Sequence, residues 1–525
     1  MAASKNIIDT VVGFFDPKAG LNRARARMAY NFISKQRGYE GAAGGRRTEG
    51  WLTPGTSAKA ESERGVGTLR NRSRDLVRNN PFASRALQVI VSNTVGYGIK
   101  AQIKNDSDRG VAPLQTAWKG WAEKTDCDFD GRKDYYGLQA LVMRMVAEAG
   151  EALVIRRRVK SKEQLISFKL QVLEPDFIDT DKVDDNTVQG IQYDAQGRRT
   201  GYWIFKEHPG DVNGAKGFWT SYKTESELVS ADDVSHVFRE DRAGQIRGIT
   251  WFAPIIITFR DLDEYMDATL VKQKVAASFA AFVTDIEVPV DGNTADSKYV
   301  VSEKIEPGAI EFLPQGKTIT FPSPPSVNEF DPFTRTMLRA LASGLGITYE
   351  SLTSDYSQVN FSSGRMGWLE FNRNLESWRW NMLIPQFCEV VGKWFFEACE
   401  DRGLKLNNAY FKHTPPAREM IDPNAEYNGL QKAVRNGFKT MPEAIRELGN
   451  DPEEQIAEIQ EFNAQLDKAG IVLDSDPRRI MGSSGSLQPD ASSGGSGNSD
   501  SGSSTFVDNT GRLWEKTSRG FAPVN

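Results

Sequence analysis

Residues 336–385 read TMLRALASGLGITYESLTSDYSQVNFSSGRMGWLEFNRNLESWRWNMLIP. The apolar spacing of Met337, Leu338, Leu341 and Leu345 predicts a helix, and Gly344 and Gly346 predict its end. The next residues, Ser354, Asp355, Tyr356, Ser357, Gln358, Val359 and Asn360, are polar and carry one charge, Asp355. No acid–base pair or cation sits among them. From Gly364 to Arg402 the pattern is helical again, with Pro385 expected to kink or break it. That second helix is apolar on most sides: Trp368, Phe371, Leu375, Trp378, Trp380, Phe387, Val391, Trp394 and Phe395 cannot all face one core. Such a helix is buried on several sides, as a subunit interface would demand, and Trp368, Phe371, Trp378, Trp380, Trp394 and Phe395 are its candidate contact residues. Replacing Trp378 or Trp394 is then expected to damage assembly before solubility.

Composition narrows the surroundings. The 525 residues are enough for several domains, the net charge is −5 with a pI near 5.6, and mean hydropathy is −0.48. No overall basic field draws the chain onto nucleic acid. The three cysteines, Cys127, Cys388 and Cys399, form no paired motif and suit a reducing compartment. No apolar run approaches the ~20 residues that a bilayer requires, so no membrane is expected.

Outward from the opening stretch, the chain divides into seven parts. Residues 1–60 form an arm with a short amphipathic start (Ile7, Ile8, Val11, Val12) and then Arg23, Arg25, Arg27, Lys35, Arg37, Arg46 and Arg47. Residues 61–250 begin with TLRNRSRDLVRNNPFASRALQVIVSNTVGYGIKAQ (68–102), in which Asn80 caps a helix opened by Pro81. Short β-branched and aromatic runs such as EALVIRRRV and GYWIFKE follow, implying an α+β domain with an antiparallel sheet. Residues 251–284 read as one long helix, with the stripe Phe259, Leu262, Tyr265, Met266, Thr269 and Leu270. Residues 285–331 are a Pro/Gly-rich, β-containing insert, and 332–402 hold the opening stretch. Residues 403–475 read as helical. Residues 476–525 form a low-complexity tail ending in FVDNTGRLWEK, expected to be disordered or, alternatively, to dock through Phe506, Leu513 and Trp514.

The catalytic inventory is poor. His208, His236 and His413 are isolated, and no phosphate loop, nucleophile elbow or zinc-binding helix motif occurs. Asp184-Asp185 and Asp232-Asp233 sit in turn-like contexts. No catalytic residue, cofactor or metal ligand is assigned. Arg64, Arg70, Arg72, Arg74 and Arg78 could meet phosphate, or pair with neighbouring carboxylates.

Three segments in order resemble lambda-type phage portal proteins. They are the R-x-R-D-L-x-R-N-N helix leading to V-G-x-G-I, the long helix with its insert, and GLG-I-T-YE-x-L with the proline-bearing helix after it. The resemblance covers roughly residues 20–470. It implies a ring, typically of twelve copies, at one vertex of the capsid, conducting DNA in packaging and ejection. It also implies an α+β wing (61–250), stem helices (251–284 and 333–343), a small β-containing clip (285–331) and a helical crown (403–475). The channel-facing loop would carry Ser354, Asp355, Tyr356, Gln358 and Asn360. Implied partners are double-stranded DNA, the terminase large subunit, major capsid and scaffold proteins, and later the head–tail connector proteins. The implied location is the virion, after assembly in host cytoplasm. A head–tail adaptor or minor capsid protein without a channel stands as the alternative, with a nucleic-acid-acting enzyme behind it.

Overall fold

The computed structural model describes residues 55–105, 110–159, 165–211, 225–278, 330–417 and 419–471, isolated residues 17, 18, 25 and 473, and the strand backbones at 282–285, 317–320, 505–507, 513–517 and 520–523. The basic arm lies almost wholly outside the described residues. The chain divides into two compact units, residues 1–450 and 451–525.

In the first unit, helix α1 (Ala58–Asn79) meets α2 (Pro81–Thr94) at one residue. Asn80 ends α1 by donating its backbone N–H to Leu76. Its side-chain oxygen then caps α2, accepting from Ala83 N at 2.9 Å, while its amide donates to Asp263 at 2.6 Å. Gly96 and Gly98 turn the chain into strand β1 (Lys100–Lys104), followed by α3 (Ala112–Ala122) and α4 (Tyr135–Ala149). Gly150, at φ 96°, ends α4 where an added Cβ would lie 2.6 Å from Ile249 and Thr250 backbone.

Two antiparallel sheets follow. The first has the order β3 (Phe168–Leu173), β2 (Glu151–Arg158), β8 (Val234–Phe238). The second runs β4 (Thr187–Val188), β5 (Ile191–Tyr193), β6 (Arg199–Phe205), β7 (Ser226–Ser230). Because side chains alternate along a strand, central β2 feeds two cores. Ala152 and Val154 enter the main core with α2, α3 and α4, whereas Leu153 and Ile155 meet Ile191, Tyr202 and Ile204 in a smaller one.

Helix α5 (Ile256–Ser278) then leaves the body and α6 (Phe330–Leu345) returns, joined by Tyr265 stacked on Phe330 at 5.8 Å and tilted on Phe333 at 4.6 Å. The apolar stripe predicts helix through residue 284. The structure places Phe282–Asp285 instead in strand β9, paired antiparallel with β10 (Lys317–Thr320). Val283 and Thr284 are β-branched and favour the pleated conformation over helix. After α7 (Tyr349–Thr353), helix α8 (Phe361–Trp378) runs into a ten-residue π-helical segment (Arg379–Cys388) and on into α9 (Glu389–Asp401). Pro385 therefore does not break the helix. The wide π turns already drop the i→i−4 bond that a proline cannot make.

The all-helical expectation after residue 403 is corrected at β11 (Tyr410–Thr414), which pairs with β1 and ties this stretch to the opening of the body. Helices α10 (Pro423–Arg435) and α11 (Met441–Glu447) follow. The second unit contains α12 (Pro452–Ala469) and a meander of β12 (Thr505–Val507), β13 (Leu513–Thr517) and β14 (Gly520–Pro523). The tail expected to be disordered thus carries three strand backbones, with Leu513–Thr517 in the middle. Among the described residues, no helix is long and apolar enough to cross a membrane.

Candidate functional site: the loop after helix α6 and the helix that follows

The site starts at the end of α6. Ile347 N–H bonds Ala342 O at 3.1 Å and Gly346 N–H bonds Ser343 O at 3.1 Å, the double closure of a Schellman cap. Gly346 is at φ 70°, the left-handed state this cap requires. Gly344 has another duty: a Cβ there would lie 2.3 Å from Ile255 Cγ2, so glycine lets α6 pack against the start of the outgoing segment. Asn374 donates to Gly346 O at 2.9 Å and holds the turn against α8.

Thr348 caps α7 through Ser351 N–H, and Arg85 on α2 bonds Ser351 O. Ser354, in the left-handed region at φ 57°, ends α7. The loop is pinned by its own bonds. Asp355 accepts from Ser357 N–H at 3.0 Å and from the Tyr349 hydroxyl at 3.1 Å. Those hydrogen bonds, with Ser357 contributing most and Arg335 3.9 Å away, hold its carboxyl below the usual range. Asn360 accepts from Ser363 N–H while Ser363 Oγ accepts from Asn360 N–H, a reciprocal cap on α8. Of the five residues expected to face a channel, Asp355 and Asn360 are thus committed to building the loop. Ser354, Tyr356 and Gln358 lie exposed on it.

The six expected interface residues separate. Phe371, Trp378, Trp394 and Phe395 are buried inside this chain's own main core. Trp378 meets Trp251 at 4.8 Å, Phe395 meets Trp118 edge-on at 5.0 Å, and Trp394 donates its indole N–H to Asp232 O at 2.7 Å. Trp368 is half-buried against the core, and Trp380 stays 48% exposed. The reading of these side chains as a set of subunit contacts is corrected for the four core residues. The π-helical segment and α9 are wrapped by β8, α3 and β11, so one subunit supplies the several apolar walls.

Other residues carry structure that sequence reasoning missed. Buried Glu151, at the head of β2, accepts from Arg247, Arg70, Gly248 N–H and His236 Nε2, all within 3.1 Å at their nearest. Burial alone would raise its carboxyl pKa, but Arg247 and His236 beside it hold the group well below the usual range. Burial depresses His236 to about 4, so the neutral ring donates from Nε2 and its Nδ1 faces the Arg199 guanidinium at 3.4 Å. Its one local mark is its place, a carboxylate directly ahead of the buried apolar run Ala152–Ile155. Arg74 bonds Asp176 at 2.6 Å and Glu174 at 2.7 Å. Arg70 and Arg74, weighed against phosphate, are therefore occupied by carboxylates. Asp233 likewise pairs with Arg156.

Among the described residues, Glu174, Asp176 and His208 are the group whose ligand atoms, all within 4.8 Å of one another, could hold a metal ion. Arg74 already supplies the positive charge between the two carboxylates, which disfavours a second cation.

The family model described as phage portal protein, lambda family, matches residues 44–379, and the chain belongs to that family. The probable portal protein of Halomonas phage phiHAP-1 is 26% identical over 432 residues, covering 77% of this chain and 81% of that protein. Portal protein B of Escherichia phage lambda is 24% identical over 454 residues, covering 78% and 83%. A chain of the neck of a native gene transfer agent particle, computed with C12 symmetry, has a TM-score of 0.44 at 14% identity, covering 72% of this chain and 94% of that one.

Proposed function

We propose that copies of this chain close into a ring at one capsid vertex, with the 353–360 loops lining a central passage for double-stranded DNA in packaging and ejection. Membership of the portal family across residues 44–379 carries this reading. The loop's chemistry supports it, since residues 353–363 include no lysine or arginine. Hydroxyl and amide side chains at Ser354, Tyr356 and Gln358 can touch phosphate without the counterion release that makes a cation grip it.

In this reading β9, β10 and the residues between them form the docking end for the terminase large subunit and later for head–tail connector proteins. The two-sheet body meets the major capsid and scaffold proteins. The chain acts as scaffold and conduit, not as an enzyme. Negative-stain images of the purified full chain should show rings, about twelve-fold, with an open centre. A monomer under all salt conditions would overturn the ring, and a ring without a hole would favour the channel-less adaptor.

A further inference from the structure

Helix α8 has a second face, turned away from the core that holds Phe371, Leu375 and Trp378. Phe361, Arg365, Leu369 and Arg373 follow one another at four-residue intervals, with Met366 beside them. Phe361 is 60% exposed, Met366 73% and Leu369 47%. This is much apolar surface to leave in water beside two arginines. Arg365 has no ion-pair partner among the described residues, and Arg373 reaches only its own helix's Glu370, at 3.5 Å.

Helix α5 carries the opposite pattern on its outer face. Ile257 and Val271 are 61% and 58% exposed, with carboxylates at Asp261, Glu264 and Asp267 between them. Glu264 is taken by Arg260 at 2.9 Å; Asp261 and Asp267 have no ion-pair partner among the described residues.

We infer that the outer face of α8 in one copy docks on the outer face of α5 in the next, Arg365 and Arg373 meeting Asp261 and Asp267 while Phe361, Met366 and Leu369 cover Ile257 and Val271. This rests on the ring reading above and names its contact surface. Different patches meet on the two copies, so the contact is heterologous, the type that generates a ring when the rotation closes. It would set the base of the 353–360 loop beside a neighbour's outgoing helix. Opposite charges facing across a contact also select this register over self-pairing of α8, where arginines would oppose arginines.

Charge reversal tests the pairing in the full chain. Arg365→Asp with Arg373→Asp, or Asp261→Arg with Asp267→Arg, should each raise the concentration needed for ring formation at least tenfold. All four substitutions together should restore it. These side chains are exposed, so the thermal transition of the unassembled chain should stay within a degree or two of wild type. Rings from both double variants at wild-type concentrations, or no rescue by the quadruple variant, would overturn the contact. A wild-type chain that forms no ring removes the ring reading itself and this contact with it.

A second measurement does not depend on rescue. Cys127, Cys388 and Cys399 are all buried, so Leu369→Cys and Ile257→Cys offer the reactive thiols. A short bis-maleimide should yield two-chain adducts when the two single variants are co-expressed, and only monomer mass would count against the contact.

Discussion

At the scale of single residues, the buried charges decide more than the exposed ones. Glu151 answers two guanidinium groups and an imidazole in a site closed to water. Glu151→Gln keeps the shape but leaves Arg247 and Arg70 without their shared anion. Breaking a buried ion pair from one side costs about 3–5 kcal/mol, and chemical denaturation should show a loss of that order. The histidines set a pH dependence. His236 and His413 are both held at about 4 by burial, against an ordinary 6.5. The unfolded chain therefore binds more protons between those values, so stability is full above pH 6.5 and falls as the pH drops towards 4. Glu151 stays charged in the folded chain through this window, but the unfolded carboxyl takes up its proton near 4.5, so its own contribution begins to fall below about pH 5 and continues to fall towards its depressed folded pKa. Among the described residues neither His413 ring nitrogen has a hydrogen-bond partner, Glu389 lying 3.9 Å away, and the ring lies parallel to Phe411. His413→Phe should leave stability at pH 7 unchanged or higher and flatten roughly half of the histidine-derived slope in thermal scans from pH 4 to 6.5. Beyond the place of Glu151 ahead of an apolar run, none of this was legible in sequence, because a buried pair 85 residues apart, such as Glu151 and His236, leaves no local spacing to read.

At the scale of elements, local signals survived where the physics is local. Asn80-Pro81 marked a helix boundary because one side chain cap and one missing N–H act within a single turn, and Gly346 marked the end of α6 for the same kind of reason. The Trp-rich helix misled because periodicity reports that a side chain is covered, not by which chain. Its apolar breadth is consumed at Trp378, Trp394 and Phe395 by partners in the same subunit, Trp251, Phe168 and Trp118. The consequence reverses the expectation for substitutions. Trp394→Ala empties a core position and loses the bond to Asp232 O, a cost of about 3–5 kcal/mol that should appear as lost soluble, folded chain. Trp380→Ala removes a half-exposed ring whose indole N–H meets Glu376 on the same helix. It should leave the thermal transition within about 0.5 kcal/mol of wild type, the ordinary range for surface changes. Equal loss of soluble protein from both variants would contradict this division. Pro385 misled for a related reason: its rule holds for an α-helix, and the chain is π-helical there.

At the scale of the whole molecule, the mixture of helix-rich and strand-rich stretches was legible because each change of pattern is long, but the path of the chain between them was not. The strand at Tyr410–Thr414 returns to Lys100–Lys104, a pairing across some 300 residues that no window could suggest. The insert between α5 and α6 gives the sharpest test of modularity. Asp285 lies opposite Lys317 and Phe282 opposite Thr320, so the chain enters and leaves residues 286–316 side by side. Adjacent antiparallel strands can be joined by two residues when these accept positive φ, as Asn-Gly does. Replacing 286–316 by Asn-Gly should therefore close β9 and β10 into a hairpin without pulling on α5 or α6, which remain joined by Tyr265, Phe330 and Phe333. The shortened chain should keep its thermal transition and, because the proposed α5–α8 contact lies outside the excised stretch, still form rings of unchanged diameter. What it should lose is retention of the packaging motor's large subunit in a pull-down. Intact retention would move the docking surface off the insert, while failure to form rings would place an assembly contact within residues 286–316.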